Sequence, residues 1–163
     1  MADTRPNLSS SVCYRDPKTA LTWLEKAFGF DLVFLVEDAE GNLAHSEMRF
    51  GDSVVMIGNE WSADHKSPAS IEGKNTQTVH IQLKEGDIDA HCERARAAGA
   101  LIVEEPSTQF YGDRTYRCKD FEGHIWTVAR SVEDVTVAEM ERRTGLKISE
   151  GPKSEGPKSE GKP

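Results

Sequence analysis

The chain has 163 residues, enough for one domain with a sizeable core, and 28 acidic against 20 basic side chains leave it at −8. That balance argues against nucleic acid or an anionic membrane as the main partner, since phosphate recognition needs a basic face. No apolar run is long enough to span a bilayer and residues 1–7 carry no signal core, so a soluble, cytoplasmic protein is expected. Cys13, Cys92 and Cys118 are far apart and form no Cys-x-x-Cys pair, which predicts reduced, packed thiols rather than a zinc knuckle or disulfides.

Residues 1–7 read as a loose arm and 8–15 (LSSSVCYR) as a strand. Asp16-Pro17 starts a helix, carboxylate as N-cap and proline in the first turn; Ala20, Leu21, Leu24, Ala27 and Phe28 recur at helical spacing, and Gly29 ends it. Trp23 beside that stripe is expected in the core. Residues 31–37 form an apolar strand. Residues 43–50 alternate, with His45, Glu47 and Arg49 on one face, and 53–57 make the next strand. The polar stretch 59–75, with Trp61, His65 and Pro68, is a linker or a lid.

The pattern then restarts. Residues 78–84 alternate, with Val79, Ile81 and Leu83 opposite His80 and Gln82. A helix runs over 87–98 to Gly99, with His91 on its surface, and 100–105 make a strand. A loop over 106–111 leads into a hairpin over 111–129 whose turn is Asp120-Phe121-Glu122-Gly123. There His124 is expected in the core or at its rim, Trp126 packed against a helix and Thr127 on the opposite face. Asp16, Ala20 and Gly29 answer to Asp87, Ala90 and Gly99, a repeat of about 70 residues. The fold class is therefore α+β: two βαβββ modules, 8–58 and 76–130, in one domain over 8–130. A C-terminal helix within 131–148, with a Thr136/Glu139 capping box, and a disordered repeat tail over 149–163 complete the chain.

Paired modules carrying YRDPKTALTWLEKAFGF and DIDAHCERARAAGA, with the Asp-Phe-Glu-Gly-His-x-Trp turn, resemble the glyoxalase, bleomycin-resistance and extradiol-dioxygenase (vicinal oxygen chelate) superfamily. The resemblance covers residues 8–130 and implies a cupped mixed sheet, a ligand cleft between curved sheets and a homodimer. It also implies four metal-ligand positions, on the first and last strand of each module. The usual histidine lies seven residues before the helix-starting acid: from Asp87 this is His80, from Asp16 it is Ser9. The last strands supply Thr127 and, in the first module, Met56.

One imidazole, a thioether and two hydroxyls are a poor divalent-metal set. The resemblance therefore implies a metal-free protein binding a small organic molecule, as antibiotic-sequestering members do, with Met56, His80, Gln82, Tyr111, Arg114 and Thr127 as candidate contacts. Its acidic charge favours a cationic or amphipathic ligand. The alternative is a lyase, isomerase or dioxygenase using one divalent ion on His80 and Glu47, with Glu47 as a possible base. A third reading is an interaction domain whose cleft has closed.

Overall fold

The computed structural model describes residues 6–152, so the arm residues 1–5 and the tail residues 153–163 lie outside the described part. The first module runs β1 (Ser10–Tyr14), α1 (Pro17–Phe28), β2 (Asp31–Glu37), β3 (Leu43–Phe50) and β4 (Ser53–Asn59). The second repeats it with β5 (Val79–Leu83), α2 (Ile88–Ala97), β6 (Leu101–Thr108), β7 (Asp113–Lys119) and β8 (Ile125–Ser131). Each builds a four-stranded mixed sheet, ordered β1-β4-β3-β2 and β5-β8-β7-β6. In both, the first and last strands pair in parallel and the rest pair antiparallel.

The helix starts follow from their caps. Asp16 accepts from the Thr19 amide at 3.1 Å, and Asp87 accepts from the Asp89 amide at 2.8 Å. Gly29 closes α1 in the left-handed region at φ 78°. The two helices lie against each other. The Trp23 indole donates to the Ala98 carbonyl at 2.8 Å, and the Arg94 guanidinium reaches the Glu25 and Lys26 carbonyls at 2.9 and 2.8 Å. A cation on the last carbonyls of α1 complements its dipole. Under the helices, Val12, Tyr14, Leu24, Phe28, Met48 and Ile57 join Tyr116, Trp126 and Val128 in one buried core.

The hairpin turn fastens one module to the other. Asp120 accepts the Tyr14 hydroxyl at 2.6 Å, the Trp126 indole N–H at 3.0 Å and the Glu122 and His124 amides, both at 3.0 Å. Glu122 reaches across to accept the Arg15 and Asp16 amides, each at 2.8 Å, and the Ser67 hydroxyl. His124 Nε2 donates to the Cys13 carbonyl at 2.7 Å. The carboxylate of Glu122 thus satisfies donors at the entry to α1 that would otherwise be unpaired. Burial and the adjoining Asp120 carboxylate push the Tyr14 phenol well above its ordinary range.

Several boundaries differ from expectation. Strand β6 continues through Pro106 to Thr108, where a loop was expected. It is an edge strand with irregular register between Glu104 and Ser107, so a residue without an N–H is tolerated there. The C-terminal helix α3 spans only Val137–Thr144, because the preceding Val132 and Glu133 amides both donate to the Gly112 carbonyl at 3.0 Å. Thr136 caps α3 through the Glu139 amide, and Gly145 ends it.

His91 is not a surface residue. It sits half-buried, its Nδ1 2.8 Å from the Tyr116 hydroxyl and its ring stacked on Phe28. The expectation failed because the end of α1, at Phe28, packs beside α2 on the flank that carries His91, which only module packing reveals. His124 and Trp126 are buried as expected.

Candidate functional site

Alternation across each sheet decides which side chains face away from the helices. In the first sheet Val55, Ile57, Met48 and Val12 enter the core, so Met56, Glu47 and Ser11 share the opposite face. Their backbones are in register, Glu47 opposite Met56 and Met56 opposite Ser11. His45 lies on this face with its Nε2 3.4 Å from Glu47, and the Phe34 ring lies 5.6 Å from the His45 ring.

In the second sheet Ile81, Tyr116 and Val128 go inward. His80, Thr127, Arg117 and Glu104 form one row on the far face, His80 opposite Thr127, Thr127 opposite Arg117 and Arg117 opposite Glu104. Arg117 donates to the Thr127 hydroxyl at 3.2 Å and to Glu104 at 2.6 Å. Gln82 follows His80 on this face, with its Oε1 3.4 Å from His80 Nε2.

The two rows belong to separate sheets. At the start of β1 and β4 a groove of about 560 Å³ runs between the first-module residues Ser9, Phe30, Phe50 and Val54 and the second-module residues His80 and Gln82. A volume of this size suits a small organic molecule. Neither Met56 nor Thr127 lines it.

The remaining candidates lie elsewhere. Arg114 shares the helix-side face with Tyr116 and is committed to Asp89 at the start of α2, at 2.9 and 2.7 Å. The proximity in sequence of Arg114 to the hairpin mouth concealed that alternation sends it to the wrong side. Tyr111, exposed in the turn before β7, packs edge-on against Phe110. Arg117 was missed, although a legible signal existed. The turn at 120–123 pairs Lys119 with Ile125, which sets Arg117 opposite Thr127.

The four positions that the resemblance gives a metal are Ser9, Met56, His80 and Thr127, but the register sets Ser11, not Ser9, opposite Met56 as His80 stands opposite Thr127, and with either serine these donors do not fit a divalent ion. Glu47 is engaged with His45 in one sheet while His80 stands in the other. Among the described residues no group of three or more His, Cys, Asp or Glu side chains is arranged to hold a metal. The thiols are unreactive by environment. Burial pushes Cys92 up to about 11 and Cys118 up to about 12. Burial, with Glu60 and Glu122 nearby, also raises Cys13.

The family model for the Glyoxalase/Bleomycin resistance protein/Dioxygenase superfamily matches residues 9–128. The chain belongs to this superfamily. An uncharacterized protein of Mycobacterium bovis is 28% identical over 143 residues, covering 85% of this chain and 92% of its own. Among solved structures, TioX from Micromonospora sp. ML1 is 29% identical with a TM-score of 0.60, over 78% of this chain and 99% of its own.

TnmS3, an antibiotic binding protein from Streptomyces sp. CB03234, shares the fold at 17% identity and a TM-score of 0.58, over 76% and 93% of the two chains. So does FosX, a fosfomycin resistance protein from Listeria monocytogenes complexed with Mn(II), at 16% identity and a TM-score of 0.55, over 85% and 96%. Proteins of this fold thus include one that binds an antibiotic and one complexed with Mn(II), and one fold hosting several chemistries leaves function to the site. Among the described residues no helix is long and apolar enough to cross a membrane.

Proposed function

We propose that this protein binds a small organic molecule in the cleft of its paired sheets without a metal ion; TnmS3, of the same fold, is an antibiotic binding protein. The observation that carries this reading is the donor set: a single imidazole, His80, stands where a chelating site needs several strong ligands. Met56 fits the same reading, since a thioether packs adaptably against irregular apolar ligands. His80, Gln82, Thr127 and Arg117 supply the polar contacts that would orient the ligand. Glu47 is then a contact rather than a base.

A homodimer completes the cleft in this reading. The edge strands β2 and β6 expose Leu32, Phe34, Val36, Leu101 and Val103, an apolar strip that a monomer would leave in water. A second copy laid over these strands buries them and roofs both polar rows.

The test has two arms. Elemental analysis of protein purified without chelator is expected to find no stoichiometric divalent metal. The second arm titrates a panel of cationic, amphipathic and neutral aromatic compounds, followed by NMR of the groove-lining Val54 and Ile81 methyl groups and of the Met56 and Thr127 methyl groups on the sheet faces. Tryptophan fluorescence is a poor reporter of this groove, because Trp23 and Trp126 point into the core and the exposed Trp61 does not line it. A metal present at one equivalent and lost in His80→Ala or Glu47→Gln would instead favour the metal-dependent lyase, isomerase or dioxygenase. Sedimentation should give a dimer that Phe34→Glu dissociates.

A further inference from the structure

The segment between the modules builds a second cavity, away from the cleft groove. After β4 the chain crosses the ends of β1 and β4 as a strap, and it is pinned along its length. Ser67 is fully buried; its amide donates to Glu60 at 2.8 Å and its hydroxyl to Glu122, and a short 3-10 turn follows at Pro68–Ser70. Asn75 donates to the Gly123 carbonyl at 2.9 Å and accepts from the Ile125 amide at 3.3 Å, and Gln77 donates to the Ser11 carbonyl at 3.2 Å. A segment held to both modules at these points is not a swinging lid. The space beneath it is preformed.

That space measures about 410 Å³ and shares no lining residue with the groove at the other end of β1. Its wall combines a ring platform with cations. The Trp61 indole is 69% exposed and lies 3.9 Å, centroid to centroid, from the His65 ring. The Ser62 hydroxyl accepts the Asp64 amide at 3.2 Å and lies 2.8 Å from His65 Nδ1, which holds the imidazole against the indole.

Lys66 and Lys74 also line the cavity, facing only one lining carboxylate, Asp64. Their own partners hold them weakly. Lys66 is 3.6 Å from Glu60, and Lys74 pairs with Glu72 where both are largely exposed. The exposed Lys74–Glu72 pair is worth only about 0–1 kcal/mol, so an incoming anion displaces it at little cost. Both ammoniums are therefore already balanced by Glu60 and Glu72, and what the cavity offers is two cations that can exchange those partners beside an exposed indole.

We infer that the strap cavity is a second binding site, for a small aromatic anion that stacks on Trp61 and sets its carboxylate or sulfonate between Lys66 and Lys74. A cation is disfavoured by the two ammoniums, and a bare inorganic anion leaves the indole unused. The site does not depend on what occupies the cleft.

The experiment titrates the full chain with 1-naphthoate and, in parallel, with neutral 1-naphthamide. It reads Trp61 fluorescence together with amide NMR shifts of Gly58 and the Trp61 indole. Saturable quenching by 1-naphthoate is expected, with 1-naphthamide about tenfold weaker and a Lys66→Met/Lys74→Met variant also about tenfold weaker, the factor equivalent to two exposed charge contacts. Both lysines are solvent-facing, so the variant should melt with the parent, and the acid–amide comparison needs no variant at all. Equal affinity for acid and amide, quenching that does not saturate, or shifts that fall on Met56 and Thr127 instead of Gly58 and Trp61 would each overturn the assignment.

Discussion

Removing the Glu122 carboxylate should cost more stability than removing any exposed charge on the molecule. Glu122 is 7% exposed and accepts three hydrogen bonds, from the Arg15 and Asp16 amides and the Ser67 hydroxyl, all outside its own module. In Glu122→Ala these donors lose their partner in a site where water enters poorly. Each stranded donor costs about 1–3 kcal/mol, with the higher end for bonds to a charged acceptor, so the sum is about 3–5 kcal/mol after partial rehydration of the strap. Loss of a carboxylate beside the start of α1 adds about 0.3–1 kcal/mol. Glu122→Gln keeps one acceptor oxygen but turns an NH₂ toward a donor, and should cost about 1–3 kcal/mol. With a urea slope of about 2 kcal/mol per molar, Glu122→Ala moves the midpoint down by roughly 2 M, read by far-UV circular dichroism. A shift worth less than about 0.5 kcal/mol would refute the idea that this turn fastens the modules.

Gly112→Ala should be severe, because φ is +97° and the new Cβ would meet the Glu133 carbonyl at 2.1 Å. Positive φ alone costs about 1 kcal/mol or more. Gly99→Ala, at φ +94° with nothing within 4 Å, isolates that part in a matched thermal melt. Burial holds the His91 imidazole below its ordinary 6.5, so the unfolded chain takes the proton more readily. Stability should therefore fall as pH drops below about 6.5, and His91→Gln should flatten that slope in urea titrations at successive pH values. Ellman's reagent at pH 8 should label Cys13 first and slowly, with Cys92 and Cys118 reacting only in guanidinium; equal rates for all three in the folded protein would contradict the raised thiols.

Local chemistry was enough to read the modules. Asp16-Pro17 and Gly29 delimit α1 through a cap, a fixed φ and a left-handed stop, all interactions within a few residues. Alternation likewise set His80 and Gln82 opposite Ile81, and Thr127 opposite Trp126, since a strand's period is two whatever it packs against. The pairing of His80 with Thr127 came from the family resemblance and is seen in the register. What required tertiary structure was every choice between partners distant in sequence. Arg114 and Arg117 look alike in the chain, yet the first goes to Asp89 on α2 and the second into the row with Thr127. Whether 59–75 was linker or lid depended on Ser67 and Asn75 finding Glu122 and Gly123, some 50 residues on. His91 was legible as a helix residue but not as one that the end of α1 would pack beside. Caps, turns and alternation are written in short-range sterics and hydrogen bonds, so composition in a window reveals them. Which face is covered, and by whom, is decided by how two folded modules dock, and no window of the sequence contains both sides of that contact.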